Sequence, residues 1–295
     1  MERLVGAFGF GLVTASILAI AAVAFTLQFG ITNILNLAFG EIMTLCAYIG
    51  YLLNAAGASV WLALVVGAVA GAVFSALLNR TIYALFVRRG TALWGMVIVT
   101  IAVALIMQNT LLGLAGPHNF TYTIPPATTF RVAGLILTSL QLEIIGVAIV
   151  AMLTLHMMLR YTRLGKAMRA TASDPALAQS CGINASRVID LVWIISGALC
   201  GIAGVTLVMN TVSFTASTGS DFLVVIIAAA IVGGVGAPYG AMLGALLVGV
   251  TSEVAAVYVN ASLKNVFAFA LLLVVLLIRP QGFIGRARVA KGVVT

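Results

Sequence analysis

Nine apolar stretches joined by short polar segments leave this chain only one kind of solvent to fold in. A helix needs about 20 mostly apolar residues, at about 1.5 Å per residue, to cross the hydrocarbon core of a bilayer. Residues 4–27, 33–53, 58–78, 91–115, 134–159 and 188–209 meet that test, and 222–236, 240–259 and 265–278 follow after Asp221. Two of these last three, 222–236 and 265–278, are short for full spans, and the first ends in Gly233-Gly-Val-Gly236-Ala-Pro238, which cannot continue as a regular helix. The predicted fold is an all-α polytopic transmembrane helical bundle, one domain over residues 1–295. Eight to ten crossings are expected, some by broken or re-entrant helices.

Composition points the same way. Charged residues make up 7% of the chain and hydrophobic ones 63%, where a soluble domain carries about a quarter charged residues. So few polar groups cannot cover a surface in water, so the bilayer is the first partner. The net charge is +8, but the cations form no run interleaved with aromatics, which argues against nucleic acid. Met1-Glu2-Arg3 followed by the apolar run 4–27 imitates a signal peptide. The run is too long for an h-region and no small-residue cleavage site follows, so it reads as an uncleaved first span. Cys46, Cys181 and Cys200 lack metal-ligand spacing and read as reduced thiols.

The cations set the orientation. Arg80, Arg88, Arg89, Arg160, Arg163, Lys166, Arg169, Arg187, Arg279, Arg286, Arg288 and Lys291 fall on one side, twelve in all, against Arg131 and Lys264 on the other. By the positive-inside rule, 79–90, the loop 160–187 and the tail from Arg279 are cytoplasmic. The start is less constrained: three spans before Arg80 put the N-terminus outside, whereas the uncharged stretch 28–39 also suits a re-entrant segment.

Polar groups inside apolar segments are the candidate sites. Asn33, Asn36 and Gly40 stand at i, i+3 and i+7, so a helix would carry them on one face, with Glu41 beside them. An acid at mid-bilayer costs at least about 2.5–3.5 kcal/mol and should face protein or water. Two readings fit: a broken helix lining a substrate pathway, or interhelical hydrogen-bond glue. Glu253 suits glue, a position near the outer surface or a pathway role, Gln108 and Asn109 suit packing, and Asp221 suits an N-cap. Gly67-xxx-Gly71, Gly197-xxx-Gly201 and Gly240-xxx-Gly244 are spacings that let helix backbones approach.

In the loop 160–187, Asp174 suits an N-cap, Pro175 the first helical position and Gly182 the C-terminal stop. A helix of about two turns around Ala178 is predicted, with Asn184 or Ser186 capping the next span. So short a helix is marginal alone in water. It is either an ordinary ordered loop or a coupling element that docks into a partner. The cations before it suit headgroup anchoring.

No Walker A sequence, HExxH or CxxC occurs, and His118 and His156 stand alone. No cofactor, metal or catalytic residue is therefore expected, and any ATP must be bound by another polypeptide. A secondary transporter or channel is the alternative, for which Glu41 and Glu253 are the available acids.

Four stretches, NILNLAFGEIMTLCAY (33–48), RLGKAMRATASDPALAQSCGINASRVID (163–190), IVGGVGAPYGAMLGALLVG (231–249) and RPQGFIG (279–285), resemble the LivH-type permease subunits of branched-chain amino-acid ABC importers. The resemblance runs over nearly the whole chain. It implies a multi-pass protein of the bacterial inner membrane with two cytoplasmic ATP-binding subunits. It also implies a second permease subunit, related or identical, and a periplasmic solute-binding protein. It places ATPase coupling on Asp174, Pro175, Ala178 and Gly182, and the substrate pathway on Asn33, Asn36, Gly40 and Glu41. Transport of branched-chain or other hydrophobic amino acids, or of a related small solute, by alternating access is the implied function. The outer loop 116–131 matches no pattern of the family, which leaves the solute open.

Overall fold

The computed structural model describes residues 2–124, 128–132, 135–258, 264–279 and 282–283. The tail cations Arg286, Arg288 and Lys291, the pair Pro125-Pro126, and four of the seven residues of 279–285 lie outside them, as does the side chain of Arg131. Among the described residues twelve α-helices carry the fold. They are α1 (Glu2–Thr32), α2 (Phe39–Ala55), α3 (Val60–Leu78), α4 (Ala84–Arg88), α5 (Leu93–Ala115), α6 (Ser139–Tyr161), α7 (Arg163–Ser173), α8 (Pro175–Ser180), α9 (Ala185–Thr211), α10 (Thr218–Gly233), α11 (Pro238–Tyr258) and α12 (Lys264–Ile278). A π turn, Asn79–Tyr83, joins α3 to α4, so that 60–88 run as one rod. Two antiparallel strand pairs lie in loops, β1 (Phe120–Thr121) with β4 (Ser213–Phe214) and β2 (Thr129–Val132) with β3 (Leu135–Thr138).

Six helices are long and apolar enough to cross a bilayer, and α2, α10 and α12 complete the bundle at 17, 16 and 15 residues. Among the described residues these six candidate spans make the chain an all-α polytopic bundle. The centre is α1, packed chiefly on α11 and α9, with α3 along α9. Because α1 and α9 are largely buried in protein, they are apolar all round; α3, α5 and α6 instead expose aliphatic stripes such as Val65, Val69 and Val73 to lipid.

Glycines set the closest approaches. An added Cβ at Gly71 would strike the Gly197 carbonyl oxygen, and one at Gly201 would strike that of Gly67. The two GxxxG spacings of α3 and α9 therefore face each other. Gly244 meets Ala229 in the same manner, and Gly233 meets Gly240, which brings α10 and α11 together.

Gly30 at the end of α1 touches Gly236, and the cavity beside it is lined by Met168 and Arg169 of α7. That end of α1 thus lies with the cation-rich loops. Its other end lies with the α11–α12 joint, where Thr14 donates to Glu253 (2.6 Å) and Lys264 pairs with the same carboxylate. The start of α1 therefore lies on the side opposite the cation-rich loops, and the stretch 28–39 holds the last residues of α1 and the non-helical segment 33–38. Glu253 thus ties α11 to α1 and to the start of α12, which suits the helix-glue reading among those the sequence left open.

One expectation is corrected. Asp221 does not cap a helix: α10 begins at Thr218, with Ser217 in the cap position, and Asp221 stands in its first turn. The helix starts early because Thr44 Oγ1 accepts from the Gly219 amide (2.9 Å), satisfying a donor that would otherwise be orphaned.

Candidate functional site

Between α1 and α2 the chain is not helical from Asn33 to Ala38. Asn33 ends α1 in the left-handed region (φ 53), which asparagine tolerates better than most residues. The expected common face of Asn33, Asn36 and Gly40 does not exist, because no helix connects them. Asn33 is exposed, whereas Asn36 is buried and turned inward. Asn36 Oδ1 accepts from the Ala38 amide and from the Tyr83 hydroxyl, each at 3.2 Å. Tyr83, on the π turn, stacks on Trp193 of α9 with centroids 5.0 Å apart. Thr100 of α5 donates to the Leu35 carbonyl (3.0 Å). The π turn, α5 and, through Tyr83, α9 thus hold the break in place.

Above it, α2 starts against α10. An added Cβ on Gly40 would lie 2.8 Å from the Gly219 carbonyl carbon, and one on Gly219 2.7 Å from that of Gly40. Only hydrogen at both positions allows this approach. Glu41 follows directly, 4% exposed, beside Ser220 and in the field of Asp221. Gln108 of α5 donates to Ser220 (3.2 Å), so four polar side chains from three helices, Glu41, Ser220, Asp221 and Gln108, meet where α2 and α10 begin. Asn36 Nδ2, Glu41 Oε2 and the Trp193 indole N–H have no protein partner, though each is buried. Buried polar atoms are nearly always bonded, so these carry unused capacity for a solute or water.

The second set lies on the cation-rich side. Thr162 caps α7 by accepting from the Gly165 amide (3.1 Å), and any side chain at Gly165 would strike the carbonyls of Met158 and Leu159. Met168 and Thr171 of α7 point inward while its cations face out, and Arg169 donates to the Leu159 carbonyl. The sequence reading treated these cations only as anchors and gave no helix here. Next, Asp174 Oδ1 accepts from the amides of Ala176 (2.9 Å) and Leu177 (3.0 Å), with Pro175 at the first helical position. At the other end the Gly182 amide donates to Gln179 and the Ile183 amide to Ala178, with Gly182 at φ +82. That pair of bonds is a Schellman stop. Asn184 then caps α9.

Cap loss makes a direct check. Asp174→Ala should cost α8 about 1 kcal/mol, which raises hydrogen exchange at the Ala176 and Leu177 amides by about fivefold. Unchanged protection would show that the cap does not hold the helix.

Ala178 is 4% exposed and faces α7 and α9, whereas Leu177 is 63% exposed. The surface that α8 offers a partner is therefore Leu177 with Pro175, Gln179 and Ser180. Asn79 donates to Asp190 (2.9 Å), and Arg80 pairs with the same carboxylate (3.0 Å), which ties the end of the α3 rod to α9. Asp190 lies in the second turn of α9, six residues after its cap. This clamp, Tyr83 and Trp193 escaped the sequence reading; polar Asn79 and Asp190 at the ends of apolar segments were the available signal.

Comparisons with known proteins agree over nearly the full length. A family model described as branched-chain amino acid transport system / permease component matches residues 7–276. The chain is 30% identical to the high-affinity branched-chain amino acid transport system permease protein LivH of Escherichia coli (strain K12), over 95% of each chain. It is 30% identical to the corresponding protein BraD of Pseudomonas aeruginosa, also over 95% of each. A probable LivH of Methanocaldococcus jannaschii is 27% identical over 93% of this chain and 90% of that one. Among solved structures, PsaBC from Streptococcus pneumoniae in complex with Fab shares the fold, with a TM-score of 0.52 and 16% identity over 92% and 91% of the two chains.

Proposed function

Because the chain belongs to the family of branched-chain amino acid transport system permease components, we propose that it carries a branched-chain amino acid across the bacterial inner membrane as one subunit of an ATP-driven importer. The full-length family match carries this reading. Two cytoplasmic ATP-binding subunits, a second permease and a periplasmic binding protein complete the assembly. In this reading α8 docks into an ATP-binding subunit through Leu177, with Asp174, Pro175 and Gly182 fixing its ends and Ala178 seating it on α7 and α9. Closure of the ATP-binding pair moves α8, and α9 carries the motion to the start of α2.

The solute passes Asn36, Gly40 and Glu41, with Asn33 at the inner mouth. Irregular backbone is tolerated at membrane depth where it meets protein or a cavity. The unpartnered amide of Asn36 and carboxylate oxygen of Glu41 suit the polar end of an amino acid. A secondary transporter is not favoured, since the matched relatives are transport-system permeases.

The test is uptake of labelled leucine by vesicles that hold both permeases, the ATP-binding subunits and the binding protein. Accumulation should require enclosed ATP and every component. Uphill accumulation by this chain alone would overturn the proposal. Tyr83→Phe, which removes one donor to Asn36 worth about 1 kcal/mol, should lower uptake about fivefold while leaving assembly intact. Unaltered uptake would take Tyr83 out of the pathway's support.

A further inference from the structure

The clamp of Asn79, Arg80 and Asp190 belongs neither to α8 nor to the break, yet a chain of contacts from one to the other runs through it. Four residues separate α8 from α9, so a displacement of α8 reaches the first turns of α9 with little slack. Asp190 and Trp193 stand three residues apart there and share one face of α9. Both reach the turn Asn79–Tyr83. Asp190 accepts from Asn79 (2.9 Å) and pairs with Arg80 (3.0 Å) at the start of the turn, and Trp193 stacks on Tyr83 (5.0 Å) at its end. Thus α9 grips the turn at both ends.

The turn sets a register. Were the rod 60–88 α-helical throughout, Tyr83 would stand about 80° round from Ser75, at about 100° per residue. Instead the Ala84 amide donates to the Asn79 carbonyl, five residues back, and the wider turn takes that drift back. Ser75, Asn79 and Tyr83 are consequently all buried, and the Tyr83 hydroxyl meets Asn36 Oδ1 at 3.2 Å. Turns of this kind are rare and gather at functional sites. Closing this one into an α turn would rotate Tyr83 off Trp193 and withdraw its donor from the break.

The two partners of Asp190 are not equivalent. Arg80 is exposed, and water screens its ion pair. Asn79 is buried and its side-chain amide donates to Asp190, so removing the carboxylate leaves a buried donor unmet. We propose that Asp190 is a positioning residue for transport. Through Asn79 it holds the π register, and the π turn holds Tyr83 on Asn36, so that a shift of α8 relayed by α9 resets the break. The inference rests on the importer reading above and adds to it the route by which α9 reaches the pathway.

The test uses the complete importer in vesicles, both permeases with the ATP-binding subunits and the binding protein, and reads leucine imported per ATP hydrolysed. A merely structural role lowers uptake and hydrolysis together and leaves that ratio alone. Asp190→Ala should lower the ratio about tenfold, the scale of one buried donor left unmet. Asp190→Asn, which keeps an acceptor for Asn79, should return it to within about twofold of the parent. Asn79→Ala, which leaves the Arg80 pair in place, should lower it as Asp190→Ala does. In a Tyr83→Phe background, where the hydroxyl is already gone, Asp190→Ala should add less than about twofold. An unchanged ratio in either alanine variant, an Asp190→Asn protein as defective as Asp190→Ala, or losses that multiply in the Tyr83→Phe background would each overturn the inference alone. A parent that imports no leucine on ATP would overturn the importer reading, and the inference with it.

Discussion

Leu177→Glu is expected to leave the protein folded and inserted while cutting ATP-driven leucine uptake about a hundredfold. Leu177 is 63% exposed on a helix of six residues capped at both ends, an apolar side chain presented to water on a rigid mount. Burying a leucine in a partner's groove yields about 1.5–3 kcal/mol, and a carboxylate in its place adds a charge with no partner. A loss near 3 kcal/mol corresponds to about a hundredfold in association, within the range of interface hot spots. The check is retention of the ATP-binding subunits on the purified permease, measured beside uptake. Full retention with normal uptake would remove α8 from the interface. Ala178→Glu should behave differently: it places a charge against α7 and α9, so the loop itself should lose amide protection.

Gly201→Val is the second large effect. Its Cβ would land on the Gly67 carbonyl oxygen and 2.7 Å from the carbonyl carbon. No side chain can move aside there, because both surfaces are backbone. Overpacking costs about 1–3 kcal/mol even where neighbours can shift; here α3 and α9 must separate. A fall in Tm of about 5–10 °C in detergent, or loss of the monodisperse species, is expected. Gly113→Val is the control, since nothing lies within 4 Å of its added Cβ. If both variants melt like the parent, the crossing is not what holds these helices together.

Much of this was legible beforehand. Span length marked the six long apolar helices, the Asp174-Pro175 pair and Gly182 set the ends of α8, and glycine spacing marked the crossings. Pairings were not legible. Asn79 meets Asp190 across 111 residues, and Thr44 meets the Gly219 amide across 175; no local pattern encodes either. Hydrophobic periodicity, which identifies faces in water, is silent for α1 and α9, whose every side is apolar. A broken helix was expected here, but Asn33, Asn36 and Gly40 were set on one helical face, because they fit a 3.6-residue repeat that the left-handed Asn33 interrupts. For α7 the repeat was present in Leu164, Met168 and Thr171, hidden behind cations that already had an explanation.

The dependence of α1 on α11 bears on how the molecule is made. Thr14 and Glu253 are 239 residues apart in the chain, and α1 is completed at Thr32, some 200 residues before α11 starts. At about 5–20 residues per second, a nascent α1 waits about 10–40 s in the bilayer before its main partner leaves the ribosome. During that interval its glycine-notched flank has only lipid or an insertion chaperone against it. Chains stopped before Pro238 should therefore be the preferred prey of membrane proteases.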